Sequence, residues 1–88
     1  MNPYKEILRK FFSEYVGTLR KRRGLTQEQM AEKLRITGRA YSDLERGIYC
    51  FPSVALVFLL LMLEEHELKE LLSPLREEIA KVEDREVA

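Results

Sequence analysis

Two threonines, Thr26 and Thr37, each stand just ahead of a short run of helical apolar spacing, and only one brief helix fits between them. Thr26-Gln27-Glu28-Gln29 reads as a capping box, with the Thr26 hydroxyl placed to accept the Gln29 backbone N–H and the Gln29 side chain placed to reach back. Leu25 and Met30 sit in the flanking staple positions. The helix so begun would bury Met30, Ala31 and Leu34 and break at Arg35-Ile36 after about eight residues. Thr37 then caps the next helix, with Ile36 and Tyr41 as its staple, Ala40, Tyr41 and Leu44 as its buried stripe, and Gly47 as its end. Two short capped helices joined by a tight turn, both apolar on the inside, form a right-angled unit that projects one helix outward. On the projecting helix, about residues 37–46, the core has no use for Gly38, Arg39, Ser42, Asp43 and Arg46, which makes them candidates for contact.

The rest of the chain is read as support. Tyr4, Ile7, Leu8, Phe11, Phe12, Tyr15, Val16 and Leu19 follow three-and-four spacing, predicting a long first helix closed by Arg20-Lys21-Arg22-Arg23 and Gly24. Ser53, after Pro52, is the expected N-cap of a fourth helix that is apolar on nearly every side. From Glu65 onward Leu68, Leu71, Leu72, Leu75, Ile79 and Val82 share one face, with a break expected at Ser73-Pro74 and fraying expected over 83–88. Helix formers dominate and 88 residues suffice for one core, so the expectation is an all-α fold in a single domain, 1–88.

Charge is zero in total but uneven in place. Residues 1–50 carry 11 Lys and Arg against 6 Asp and Glu, a surplus of +5, and residues 51–88 carry 4 against 9, or −5. Such a split suggests a basic binding face and an acidic far side. One cysteine, Cys50, excludes an internal disulfide, and with one histidine, His66, it cannot build a structural zinc site, so no metal or cofactor is expected. No glycine-rich phosphate loop or nucleophile with a nearby base can be assembled, which argues against an enzyme. The start lacks the pattern of a signal peptide, so a cytoplasmic location is expected. The apolar run 54–63 is half the length of a membrane-crossing helix, which needs about twenty residues.

Arg20-Lys21-Arg22-Arg23-Gly24-Leu25-Thr26-Gln27-Glu28-Gln29-Met30-Ala31-Glu32-Lys33-Leu34, then Ile36-Thr37 and Leu44-Glu45-Arg46-Gly47, resemble the Cro/C1-type (XRE) helix-turn-helix family over about residues 16–63. The resemblance implies a lambda-repressor-like bundle, and with the extended first helix and the C-terminal amphipathic helix over about 65–83, which lie outside the resembling stretch, five to six helices are expected. It implies double-stranded DNA as partner, with Gln27 hydrogen-bonding a phosphate and Thr37, Gly38, Arg39 and Asp43 facing the groove. It places Arg20 and Glu45 as a structural ion pair. Arg39 is the strongest candidate reader, since arginine donates two bonds to guanine O6 and N7. Asp43 either accepts from cytosine or orients Arg39, four residues away on the same helix.

Four features depart from that family's pattern. Arg35 stands where the turn usually has glycine, and Tyr41 replaces a smaller aliphatic residue, which would shift or tilt the reading helix. Ile48-Tyr49-Cys50-Phe51 replaces a polar loop, and Leu56, Leu59 and Met62 make the fourth helix more apolar than its core needs. Either the C-terminal helix folds over that surface or a second copy does, and a homodimer through 53–63 and the C-terminal helix is the expectation. The function expected is a sequence-specific transcriptional regulator, a repressor. The alternative is a protein-interaction module, antitoxin-like or anti-repressor, working through 48–51 and 53–63.

Overall fold

The computed structural model describes residues 2–87 and contains five α-helices and no strand among them. Helix α1 spans Pro3–Arg22, α2 Gln27–Leu34, α3 Gly38–Glu45, α4 Ser53–Leu61 and α5 Glu65–Val87. The Asn2 side chain accepts the Tyr4 N–H and Pro3 opens α1 without a donor to waste, while Arg20, Lys21 and Arg22 fill its last turn. Gly24 follows with φ 64°, a left-handed conformation that an added side chain would strain.

Side chains from all five helices meet in one core: Phe12, Val16 and Leu19 from α1, Met30, Ala31 and Leu34 from α2, Tyr41 from α3, Ala55 and Leu59 from α4, and Leu71 from α5. Phe51, in the loop before α4, lays its ring 5.9 Å from that of Phe12 and so fastens the loop to α1. Helix α5 runs back along α1.

Four local expectations change. Pro74 does not break the last helix, which continues as one element to Val87, giving five helices where five to six were expected. Proline there forfeits one backbone bond, but Leu71 on one side is fully buried and Leu75 on the other packs on the core, and this anchoring carries the helix through. The expected fraying from Glu83 is replaced by helix as far as Val87; Ala88 lies outside the described residues. Ser53 is the first residue of α4, not its cap: Pro52, extended at φ −66° and ψ 153°, holds the cap position and no side chain caps the helix. Ala40, expected in the buried stripe of α3, is exposed, because Tyr41 and Leu44 already fill that helix's share of the core.

Candidate nucleic-acid interface

The two caps form as their residue types require. Thr26 Oγ1 accepts the Gln29 N–H at 3.1 Å and Gln29 Oε1 accepts the Thr26 N–H at 2.9 Å, while Thr37 Oγ1 accepts the Ala40 N–H at 3.1 Å. Between the helices Arg35 is left-handed, φ 65° and ψ 35°, as the family's glycine at this position suggests. The Ile36 N–H reaches back to the Ala31 carbonyl at 3.0 Å and closes the end of α2. Arg35 holds its unfavourable conformation with its own side chain: the guanidinium donates to the Lys33 and Glu32 carbonyls at 2.8 and 3.2 Å and lies 4.3 Å above the Phe58 ring of α4.

Glu45, the last residue of α3, ties the first three helices together. Arg20 of α1 clamps its carboxylate with two bonds, 2.8 and 2.9 Å, and gives a third to the Leu25 carbonyl at 3.0 Å. The Tyr41 hydroxyl donates to the same carboxylate, and Gln27 Nε2 of α2 adds a bond of 3.3 Å. Both ionic side chains are only 15% exposed. The Arg20 hydrogen bond, with those from Tyr41 and Gln27, lowers the Glu45 pKa to about 2 despite the opposing cost of burial. Burial, then the hydrogen bond to Glu45, pushes the Tyr41 hydroxyl far above its ordinary value. The expected Arg20–Glu45 pair is therefore present, and Tyr41 adds a donor to it that the smaller aliphatic residue of the family pattern lacks. The Tyr41–Glu45 spacing of four on one helix was the sequence signal for that bond.

On this frame α3 presents the residues singled out from the sequence. Thr37 and Arg39 are exposed at its start, Gly38 and Ser42 are half-buried, Asp43 is half-buried and Arg46 is exposed at its end. Gln27, exposed at the start of α2, is joined to α3 through Glu45. Asp43 does not orient Arg39. It accepts from Arg46 at 2.6 Å, three residues on, and the Arg39 guanidinium has no ion-pair partner among the described residues. Glu28, which no sequence pattern singles out, sets its carboxylate against the start of α3, with Oε1 3.1 Å from where a Cβ on Gly38 would stand. Linear spacing carries no signal for that meeting of two helices.

The basic end of α1 is partly spent inside the chain. Arg22 pairs with Glu70 at 3.3 Å, and Arg23 pairs with Glu67 of α5 and donates to the Met62 carbonyl at 3.0 Å. The Glu64 backbone N–H, and after it Arg23, hold the Glu67 carboxyl below the usual range. The acidic half thus folds onto part of the basic half; at α3 the Asp43 and Glu45 carboxylates are taken by Arg46 and Arg20, and Arg39 is left without an ion pair among the described residues.

The apolar excess of α4 lies elsewhere than expected. Leu59 is in the core and Leu56 and Met62 pack against it, whereas Val54, Val57, Leu60 and Leu61 are exposed, as are Ile48 and Tyr49 in the preceding loop. Because α5 lies along α1, it does not fold over this surface. Among the described residues no cluster of His, Cys, Asp and Glu could hold a metal ion, and no helix is long and apolar enough to cross a membrane.

No curated protein and no solved structure matches the chain. A family model described as Helix-turn-helix matches residues 16–61, from Val16 in the core of α1 through both capped helices to the end of α4. By that match, over more than half its length, the chain belongs to the Cro/C1-type helix-turn-helix family of DNA-binding regulators.

Proposed function

We propose that the chain is a sequence-specific transcriptional repressor that acts in the cytoplasm as one 88-residue domain, reading the DNA major groove with α3. The observation that carries this reading is Arg39: an exposed guanidinium, without an ion pair among the described residues, at the start of a helix whose far end is clamped by Arg20, Tyr41 and Gln27. A reading helix must be stiff so that its side chains, and not its backbone, adapt to the bases. Arg39 reads guanine, a contact worth about 1–3 kcal/mol of discrimination. Thr37, Gly38, Ser42 and Asp43 line the groove, Arg46 neutralises Asp43 beside the phosphates, and Gln27 donates its second amide hydrogen to a phosphate. Occupying the groove is enough to repress, so the function asks for no further element.

The open face of α4 supports a homodimer. Val54, Val57, Leu60 and Leu61 of α4 are exposed apolar side chains, as are Tyr49 in the loop before it and Leu68 in the first turn of α5. Two copies joined there would offer two α3 helices to half-sites about one DNA turn apart, roughly 34–36 Å. The same surface is what favours the second reading, a protein-interaction module that uses 48–51 and α4 to hold another protein.

Selection from a random duplex pool, followed by anisotropy titrations over several salt concentrations, separates the two. A two-fold symmetric site, a steep salt slope and loss of guanine preference on Arg39→Ala are the expected result. Failure to enrich any site, with weak binding indifferent to Arg39→Ala but sensitive to Tyr49→Ala, would overturn the repressor in favour of the interaction module.

A further inference from the structure

Gly38 is the first residue of α3, and its glycine is not explained by its backbone, since the positive φ values belong to Gly24, Gly47 and Arg35. Space explains it. A Cβ at 38 would stand 3.1 Å from Oε1 of Glu28, tighter than an ordinary contact, and 3.6 Å from its carboxyl carbon. The carboxylate of the second residue of α2 thus takes the room in front of α3 that a side chain at 38 would fill. Glu28 is exposed and has no ion pair among the described residues, whereas the two carboxylates of α3 are engaged, Asp43 by Arg46 and Glu45 by Arg20.

We infer that Glu28 is a base-reading residue, which accepts a hydrogen bond from the amino group of a cytosine in the major groove in place of the side chain that Gly38 lacks. The inference rests on the reading of α3 as the helix in the groove, and it adds a determinant from outside that helix. A free carboxylate among phosphates is repelled by all of them, and the partners in the groove that welcome it are amino donors. Carboxylates accept from cytosine N4, whereas the glutamine amide pairs with adenine N6 and N7. Arg39, the neighbour of Gly38, would read a guanine beside it, so the half-site carries two adjacent determinants with separate owners.

The test is site selection with the full chain as wild type, Glu28→Ala, Glu28→Gln, Gly38→Ala and Arg39→Ala, then competition titrations on the selected duplex with the cytosine pair exchanged. Wild type should prefer the C·G pair by at least about fivefold. Glu28→Ala should lose that preference and keep the guanine preference, and Glu28→Gln should move it to A·T. Gly38→Ala, whose methyl group crowds the carboxylate, should weaken preference at the same pair only. Thermal melts establish that each variant is folded. A site that depends on Arg39 but is unchanged by Glu28→Ala overturns the inference alone, as does a uniform gain in affinity for every sequence, the mark of a carboxylate that only repels phosphate. A pool with no enriched site overturns the reading of α3 and the inference with it.

Discussion

Helices α3 and α4 are nearly equal in length and each buries two side chains, Tyr41 and Leu44 in one and Ala55 and Leu59 in the other. Their outer faces are opposites. Helix α3 exposes Arg39, leaves Ser42 and Asp43 half-buried and ends at the exposed Arg46, and its far end is held by ionic and hydrogen bonds from two other helices. Helix α4 keeps Val54, Val57, Leu60 and Leu61 outside and is held by packing, without even a side-chain cap. The core therefore does not dictate the surface of either. A polar exterior on a clamped helix suits a hydrated, charged partner that must be met in one orientation, and an apolar exterior on a packed helix suits a partner that excludes water.

The largest effect should come from releasing α3. Glu45→Ala leaves Arg20 with a largely buried charge that has lost its partner and Tyr41 with a buried donor that has lost its acceptor, and should cost about 3 kcal/mol in urea unfolding. A loss under about 1 kcal/mol would mean that α3 is held by packing, as α4 is. The pH dependence has a definite sign. The Glu45 pKa is about 2 in the folded chain against an ordinary 4.5, so its contribution is complete above 4.5 and is lost as pH falls toward 2. Glu67, also lowered, acts in the same direction. Acid titration should destabilise the wild type more steeply than Glu45→Gln.

On α4 the corresponding change should do nothing to folding and much to assembly. Leu61 is 72% exposed, so Leu61→Glu should alter unfolding by less than about 0.5 kcal/mol. If the face joins two copies, the same change should weaken self-association by about 2 kcal/mol, some thirtyfold in sedimentation equilibrium. A wild type that sediments as a monomer at every concentration would remove the homodimer and leave the face to another protein.

Why the two helices differ in legibility follows from the same contrast. Caps, staples and the ends of α1, α2 and α3 depend on residues a few positions apart, so Thr26, Thr37 and Gly24 announce them. The family pattern supplied the Arg20–Glu45 pair across 25 positions, which spacing alone would not. For α4, apolar on all sides, periodicity carries no phase. Periodicity therefore does not separate Leu59, which points in, from Leu61, which points out, and the excess expected at Leu56, Leu59 and Met62 lies at Val54, Val57, Leu60 and Leu61. Pro74 misled because its local cost was legible and the anchoring of Leu71 was not. Glu28 and Gly38 meet only once α2 and α3 are folded together.

Tyr41 offers a finer test of the clamp. Tyr41→Phe keeps the buried ring and removes one donor from a carboxylate that Arg20 still holds, so it should cost about 1 kcal/mol and raise the Glu45 pKa. An unchanged Glu45 titration by NMR would show that the hydroxyl fills space without holding α3.

The smallest effect lies where the two regions touch. Arg35 ends α2 in a conformation that disfavours side chains, and its guanidinium bridges to Phe58 of α4. Arg35→Ala keeps the backbone cost and loses both the ring contact and the two carbonyl bonds, a loss of about 1 kcal/mol. Arg35→Gly loses the same contacts but relieves the left-handed residue, a gain of about 1–2 kcal/mol, offset in part by the greater freedom of glycine in the unfolded chain. The glycine variant should therefore unfold later than the alanine variant by roughly 0.5–1 kcal/mol and lie close to wild type. If alanine and glycine are equal, the turn is unstrained and Arg35 acts only as a strut between the clamped helix pair and α4. If both match wild type, the strut is idle and α3 and α4 are joined through the core alone.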